Sequence, residues 1–184
     1  MKVVAINGSA RAGGNTRLLI DRVCAVLEKE GIETRVFELA GSWIHGCRAC
    51  AKCSPGPEPL CGMDDDDLNG LLPDIYAADG LILGSPVYFA DVTTEMKGVI
   101  ERAGYINRNR GQNLLRRKVG AGVTAVRRAG ALHALATLNN FFTINQMVVV
   151  GSSYWNVGFG RNPGEVADDQ EGLRTMDTLG ANMA

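Results

Sequence analysis

Apolar residues along this chain fall into short continuous runs, separated by stretches in which they recur at helical spacing. Runs too short for a helix read as strands buried on both faces. VVAIN (3–7) is such a run and stops at a Gly-Ser turn. Leu18, Leu19, Val23, Val26 and Leu27 then mark a helix over 15–30, with Gly14 or Asn15 as cap and Gly31 past its end. TRVFEL (34–39) alternates like a strand, whereas 40–63 has no period at all. Leu68, Leu71, Leu72, Ile75 and Tyr76 follow Asp64–Asp67 as a helix that Pro73 breaks or kinks. GLILG (80–84) and VGAGVTAV (119–126) are buried strands, and MVVVG (147–151) is the last one. Helices are predicted over 92–104, 131–144 and 168–182, and a loop over 151–167.

About five strands alternating with about five helices predict one α/β domain over residues 1–184. The expected architecture is a doubly wound, five-stranded parallel sheet of order 2-1-3-4-5, with helices on both faces. Ligands bind such sheets at the carboxyl ends of the strands, so the loops after residues 7, 84 and 126 are where chemistry belongs.

Composition narrows the classes. The chain has 184 residues, 46% of them hydrophobic, and a net charge of −1, which argues against a general nucleic-acid binder. No apolar run reaches the roughly 18 residues a membrane span needs. MKVVAINGSA lacks the long apolar stretch of a secretory signal, so a cytoplasmic protein is expected, where clustered cysteines more often mean metal or redox chemistry than disulfides.

The first loop, NGSARAGGNT (7–16), carries the hydroxyls of Ser9 and Thr16, the cation of Arg11 and the amide of Asn15. Gly13 and Gly14 admit close backbone approach, and the free N–H groups of a helix N-terminus follow. That equipment suits a terminal phosphate monoester; the plainer reading is a well-capped turn. In SPVYF (85–89), Ser85-Pro86 turns the chain out of the sheet. Val87, Tyr88 and Phe89 keep N–H groups to bond the edge of a planar ring that Tyr88 and Phe89 flank, or the aromatic pair merely covers the sheet end.

GSARAGGNT followed by GSPVYFADVTTEMKGVIER resembles the flavodoxin-like NAD(P)H-dependent FMN reductases over nearly the whole chain. The compact cysteine motif and the tail from GSSYWNVGFG onward resemble their iron–sulfur flavoprotein branch. The resemblance implies FMN, its phosphate held by Ser9, Arg11, Gly14, Asn15 and Thr16, and its ring lying along Ser85 and Pro86 to Phe89. It also brings the loop after the fourth strand to the flavin, with Arg127, Arg128 and Gly130 as candidates; a basic surface turn is the alternative. It further implies a homodimer or homotetramer in which one subunit's cysteine loop approaches a neighbour's flavin.

Cys47, Cys50, Cys53 and Cys61 follow the spacing C-x2-C-x2-C-x7-C. Four thiolates suit a [4Fe–4S] cluster or tetrahedral zinc, and the compact steps look more like the former. The remaining alternative is that the thiols hold nothing. Ser54-Pro-Gly-Pro-Glu-Pro59 makes the last step stiff and turned, and Arg48 and Lys52 could offset a cluster's charge. His45 is expected to make a local hydrogen bond, Cys24 to sit in the core, and Asp64–Asp67 to form a solvated first turn. Arg108, Arg110, Arg116, Arg117 and Lys118 form a basic patch that attracts NADPH phosphates or merely solvates the approach to a strand.

The expected function is electron transfer from ferredoxin or NAD(P)H to a quinone, O2, H2O2 or a protein, with the cofactors carrying the chemistry. The rivals are a cluster-free FMN or quinone reductase and a non-catalytic redox-sensing module.

Overall fold

The apolar runs become a parallel sheet in the structure, a computed structural model that describes residues 1–53 and 58–184. The stiff step of the cysteine motif lies partly outside the described residues. Strands β1 (Lys2–Asn7), β2 (Glu33–Glu38), β3 (Gly80–Pro86), β4 (Val119–Val126) and β5 (Val148–Val149) lie in the order β2-β1-β3-β4-β5. All pair in parallel, as the alternation of strands and helices demands.

Alternate strand residues feed two cores. Val3, Ala5, Ile82, Ala121 and Val123 pack under α1 (Asn15–Lys29) and α5 (Gln170–Met183), against Leu19, Ile20, Val23, Met176 and Leu179. Val4, Ile6, Leu81 and Leu83 face the opposite way, toward α2 (Leu72–Ala77), α3 (Thr94–Asn109) and α4 (Ala131–Ile144). Cys24 lies in the first core, where burial pushes its thiol up to about 11.

Two expectations change. The segment after Asp64 is not one helix: Asp66 accepts from the Leu68 N–H and caps a 3-10 turn over Asp67–Gly70, after which α2 begins afresh. Pro73 therefore falls in a first turn, where its missing N–H leaves no bond unmade. The final strand is also shorter than MVVVG predicts. β5 pairs only with the start of β4, at Val119 and Gly120.

The chain then departs through 150–156 and returns, within the expected loop, as a sixth strand β6 (Val157–Phe159) on Thr124–Val126. Asn156 bridges the gap in this ladder. Its amide donates to the Gly122 carbonyl (3.0 Å), and its own carbonyl accepts from the Thr124 N–H (2.9 Å). The excursion leaves Tyr154 and Trp155 exposed beside the sheet edge. Among the described residues, no helix is long and apolar enough to cross a membrane.

Candidate functional site

The turn after β1 is built by its own side chains. Asn7 accepts from the Ser9 N–H (3.1 Å), and the Ser9 hydroxyl accepts from the Arg11 N–H (3.0 Å). Gly14 N–H donates back to the Arg11 carbonyl (3.2 Å), which closes the loop before α1 starts. The first-turn N–H groups of Asn15, Thr16 and Arg17 meet no acceptor among the described residues. No acidic residue stands in that turn to offset the positive helix end. The Thr16 hydroxyl is buried there and unpartnered, a costly arrangement unless a ligand supplies the acceptor.

These groups line a cleft of about 200 Å³ at the carboxyl edge of the sheet. Of the residues singled out in the sequence, it gathers Ser9, Arg11, Gly14, Asn15, Thr16, Pro86, Val87, Tyr88 and Arg127. The sequence did not point to Ala125, Gly160, Arg161 or Pro163, which complete it. Arg11, Arg127 and Arg161 give the lining three cations, and no carboxylate lines it. The Asn15 side chain is engaged within the protein: its amide donates to the Asn162 carbonyl (2.9 Å) and accepts from the Gly164 N–H (2.9 Å). It thus ties the start of α1 to the loop that carries Arg161. The absence of a side chain at Gly160 makes this possible, since a Cβ there would lie 2.7 Å from the Asn15 amide.

The β3–α3 loop uses more of its backbone than expected. Val87 N–H donates to the Ala125 carbonyl (3.0 Å) and Tyr88 N–H to the Asp91 carbonyl (2.8 Å), so neither is free for a ring edge. Phe89 and Ala90 take left-handed φ values of 47° and 67° in a tight turn closed by Asp91 N–H to the Tyr88 carbonyl (3.0 Å). Phe89 is fully exposed and does not line the cleft. Ser85 is buried beneath it, accepting from the Thr93 N–H (3.1 Å) and donating to the Pro86 carbonyl (2.9 Å). Arg128 and Gly130 face a separate cavity of about 440 Å³ lined also by Tyr154, Trp155 and Phe159. Gly130 adopts φ 89°, and a Cβ on it would come within 2.9 Å of Ala90 Cα.

The cysteine loop is held by α3. Cys47 N–H donates to Glu101 (3.2 Å), and Gly98 lets the helix touch the loop, since a Cβ there would meet the His45 carbonyl at 2.8 Å. All four thiols are free; Cys50 is exposed and Cys61 buried. Ala49 and Ala51, on either side of Cys50, take left-handed φ values of 50° and 56°. Ala49 N–H donates to Cys47 Sγ (3.4 Å). The Cys53 thiol is pushed up, first by burial and then by the proximity of Cys61, Cys47 and Cys50. Among the described residues, however, no three His, Cys, Asp or Glu side chains converge closely enough to hold a single metal ion.

The four aspartates are not a uniform solvated turn. The Asp66 side chain is fully buried and paired with buried Arg102, while Asp67 accepts from the Trp43 N–H (2.7 Å). Asp64, Asp65 and Asp67 are exposed as expected, Asp65 near Arg48 (3.3 Å). His45 accepts from Trp43 Nε1 (2.9 Å), the local bond foreseen for it. Of the basic patch, Arg110 donates to the Glu58 carbonyl (2.9 Å) and Lys118 to that of Tyr76.

The chain is similar to several known proteins. An iron–sulfur flavoprotein of Methanocaldococcus jannaschii is 37% identical across 100% of this chain and 96% of its own length. One from Archaeoglobus fulgidus is 33% identical across 100% of this chain and 79% of its own. Among solved structures, RosB with a bound 8-demethyl-8-formylriboflavin-5'-phosphate intermediate superimposes with a TM-score of 0.73, at 21% identity and over 100% of this chain and 77% of that one. An archaeal flavodoxin gives a TM-score of 0.64 at 14% identity, over 100% of this chain and 96% of that one. Both share the fold. Residues 1–162 match the NADPH-dependent FMN reductase family. With the parallel sheet and the cleft at its carboxyl edge, that match makes this chain a member of the family and a flavin-dependent oxidoreductase.

Proposed function

We propose that the chain holds FMN in the cleft and a [4Fe–4S] cluster on Cys47, Cys50, Cys53 and Cys61, and moves electrons from ferredoxin or NAD(P)H to a quinone, O2, H2O2 or protein acceptor. When bound, the flavin exchanges electrons singly or in pairs, and the cluster exchanges them singly. The protein's residues do the rest. Arg11, Arg127, Arg161 and the open first turn of α1 would neutralise its phosphate, and the Thr16 hydroxyl would gain the partner it lacks. Pro86, Val87 and Tyr88 form the wall along which a ring would lie. The iron–sulfur flavoproteins named above support the cluster.

The observation that carries this reading is that a single helix serves both sites. Thr93 caps α3 and donates to the Gly8 carbonyl in the first loop (2.7 Å), while Glu101 and Arg102 on the same helix hold the cysteine loop. Exposed Tyr105 and Ile144 beside a cavity of about 700 Å³ between α3 and α4 suit a homo-oligomer, as does the Tyr154–Trp155 pair.

A second reading is a cluster-free FMN reductase. It is favoured by the lack of three metal-binding side chains close enough to share one ion among the described residues. Four thiols suit a cluster by donor chemistry, and iron content separates the two readings. Cys50→Ser, purified without oxygen, is expected to lose its iron and retain FMN. Unchanged iron would refute Cys50 as a ligand, and FMN without iron in the unmodified protein would establish the second reading.

A further inference from the structure

Arg102 is the largest side chain to be fully buried, at 1% exposure. It sits on the buried face of α3 with Met96, Val99, Ala103 and Ile106. An apolar side chain would fill such a place at lower desolvation cost. What distinguishes the guanidinium is that all three nitrogens are engaged. Nε donates to Cys61 Sγ (3.3 Å), Nη1 to the Asp66 carboxylate and the His45 carbonyl (3.3 Å), and Nη2 to the Met63 carbonyl (3.3 Å). His45 and Met63 bracket the cysteine run from either side, so one guanidinium grips both of its ends.

Cys61 is further clamped by Asn69, which accepts from its N–H (2.8 Å) and donates to its carbonyl (3.1 Å). Cys61 is thus held in place by the protein itself, whereas Cys50 is exposed on the loop. An arginine guanidinium has only donors and keeps its charge in proteins, so the donor stays charged.

We infer that Arg102 is a positioning residue that presents the Cys61 sulfur and, through its N–H···S bond, makes a centre bound there easier to reduce. This rests on the cluster reading above. Reduction of that centre takes one electron from an external one-electron donor and moves no proton. It places more negative charge on the sulfurs, and a donor aimed at one of them stabilises the reduced state more than the oxidised.

The test is a dithionite titration, without oxygen, of the iron-loaded protein and of Arg102→Lys. Lysine keeps a cation beside Asp66 but lacks the fork that reaches Cys61. The variant is expected to retain its iron. At a fixed ambient potential its reduced-to-oxidised cluster ratio should fall about tenfold, equal to roughly 59 mV more negative for one electron. The flavin potential should not move.

If lysine prevents folding, the neutral double variant Arg102→Gln with Asp66→Asn is titrated instead, with the same expectation. A role confined to packing would lower stability or iron content and leave the cluster potential where it was, and that result would overturn the inference. Unmodified protein without iron would overturn the cluster reading and this inference together. Iron-loaded protein with an unshifted variant would overturn this inference alone.

Discussion

Asp66→Asn is expected to destabilise the protein by about 3–5 kcal/mol, the usual loss when one partner of a buried ion pair is removed. Asp66 is 0% exposed at its side chain and faces Arg102, which is 1% exposed. Its carboxylate also accepts from the His45 N–H (2.8 Å) and the Leu68 N–H (3.3 Å), and the single acceptor oxygen of asparagine cannot serve all of these donors. Urea unfolding at neutral pH measures the loss, and a melting temperature lower by on the order of 10 °C should accompany it. Arg102→Gln added to Asp66→Asn should recover part of the stability, because the uncompensated charge is then gone.

The pH dependence has a definite sign. Burial raises the Asp66 carboxyl, but hydrogen bonds from Arg102, His45 and Leu68 outweigh it and hold the group below its usual value. A folded value below the unfolded one gives stability that is fully present above roughly pH 4 and lost as pH falls through the lowered folded value. Asp66→Asn should flatten that acid limb, and an unchanged limb would show that the pair is not charged.

Thr16→Val and Arg11→Ala are each expected to weaken FMN binding roughly tenfold to a hundredfold, the range for a hydrogen bond to a charged group. The two differ in a way that isolates the cause. The Thr16 hydroxyl is buried without a partner, so valine, which keeps its shape, should leave the flavin-free protein as stable or more stable. Only the complex should suffer. Riboflavin, which lacks the phosphate, is the control: its affinity should barely change in either variant. An equal loss for riboflavin and FMN would place the phosphate elsewhere.

The frame of the fold was legible because its strands are continuous apolar runs with glycine or turn residues at their ends. VGAGVTAV is β4 residue for residue, and α4 spans 131–144 as its periodicity predicts. The last sheet position was not legible. Its two halves are strands of 2 and 3 residues, too short to show a period, and the break between them is filled by the Asn156 amide. The same reason hid Gly160, Arg161 and Pro163. They reach the cleft only because β6 returns to β4 and Asn15 ties the following loop to α1.

The chemistry was legible by residue type and not by orientation. Val87 and Tyr88 were expected to offer free N–H groups, yet both are used to close the loop itself. Asp66 read as one of a run of solvated acids, and nothing in the sequence singled out Arg102. Their pairing spans 36 residues and depends on how the loop folds over α3. Sequence spacing pointed to a metal role for the cysteines, while the left-handed Ala49 and Ala51 and the anchoring of Cys61 required coordinates.

The central claim is that one chain carries both a flavin and an iron–sulfur centre. Its most direct test is to purify the unmodified protein without oxygen and measure FMN, iron and inorganic sulfide per chain. The account predicts FMN together with equal amounts of iron and sulfide, one iron for each of Cys47, Cys50, Cys53 and Cys61. FMN accompanied by neither iron nor sulfide would contradict it.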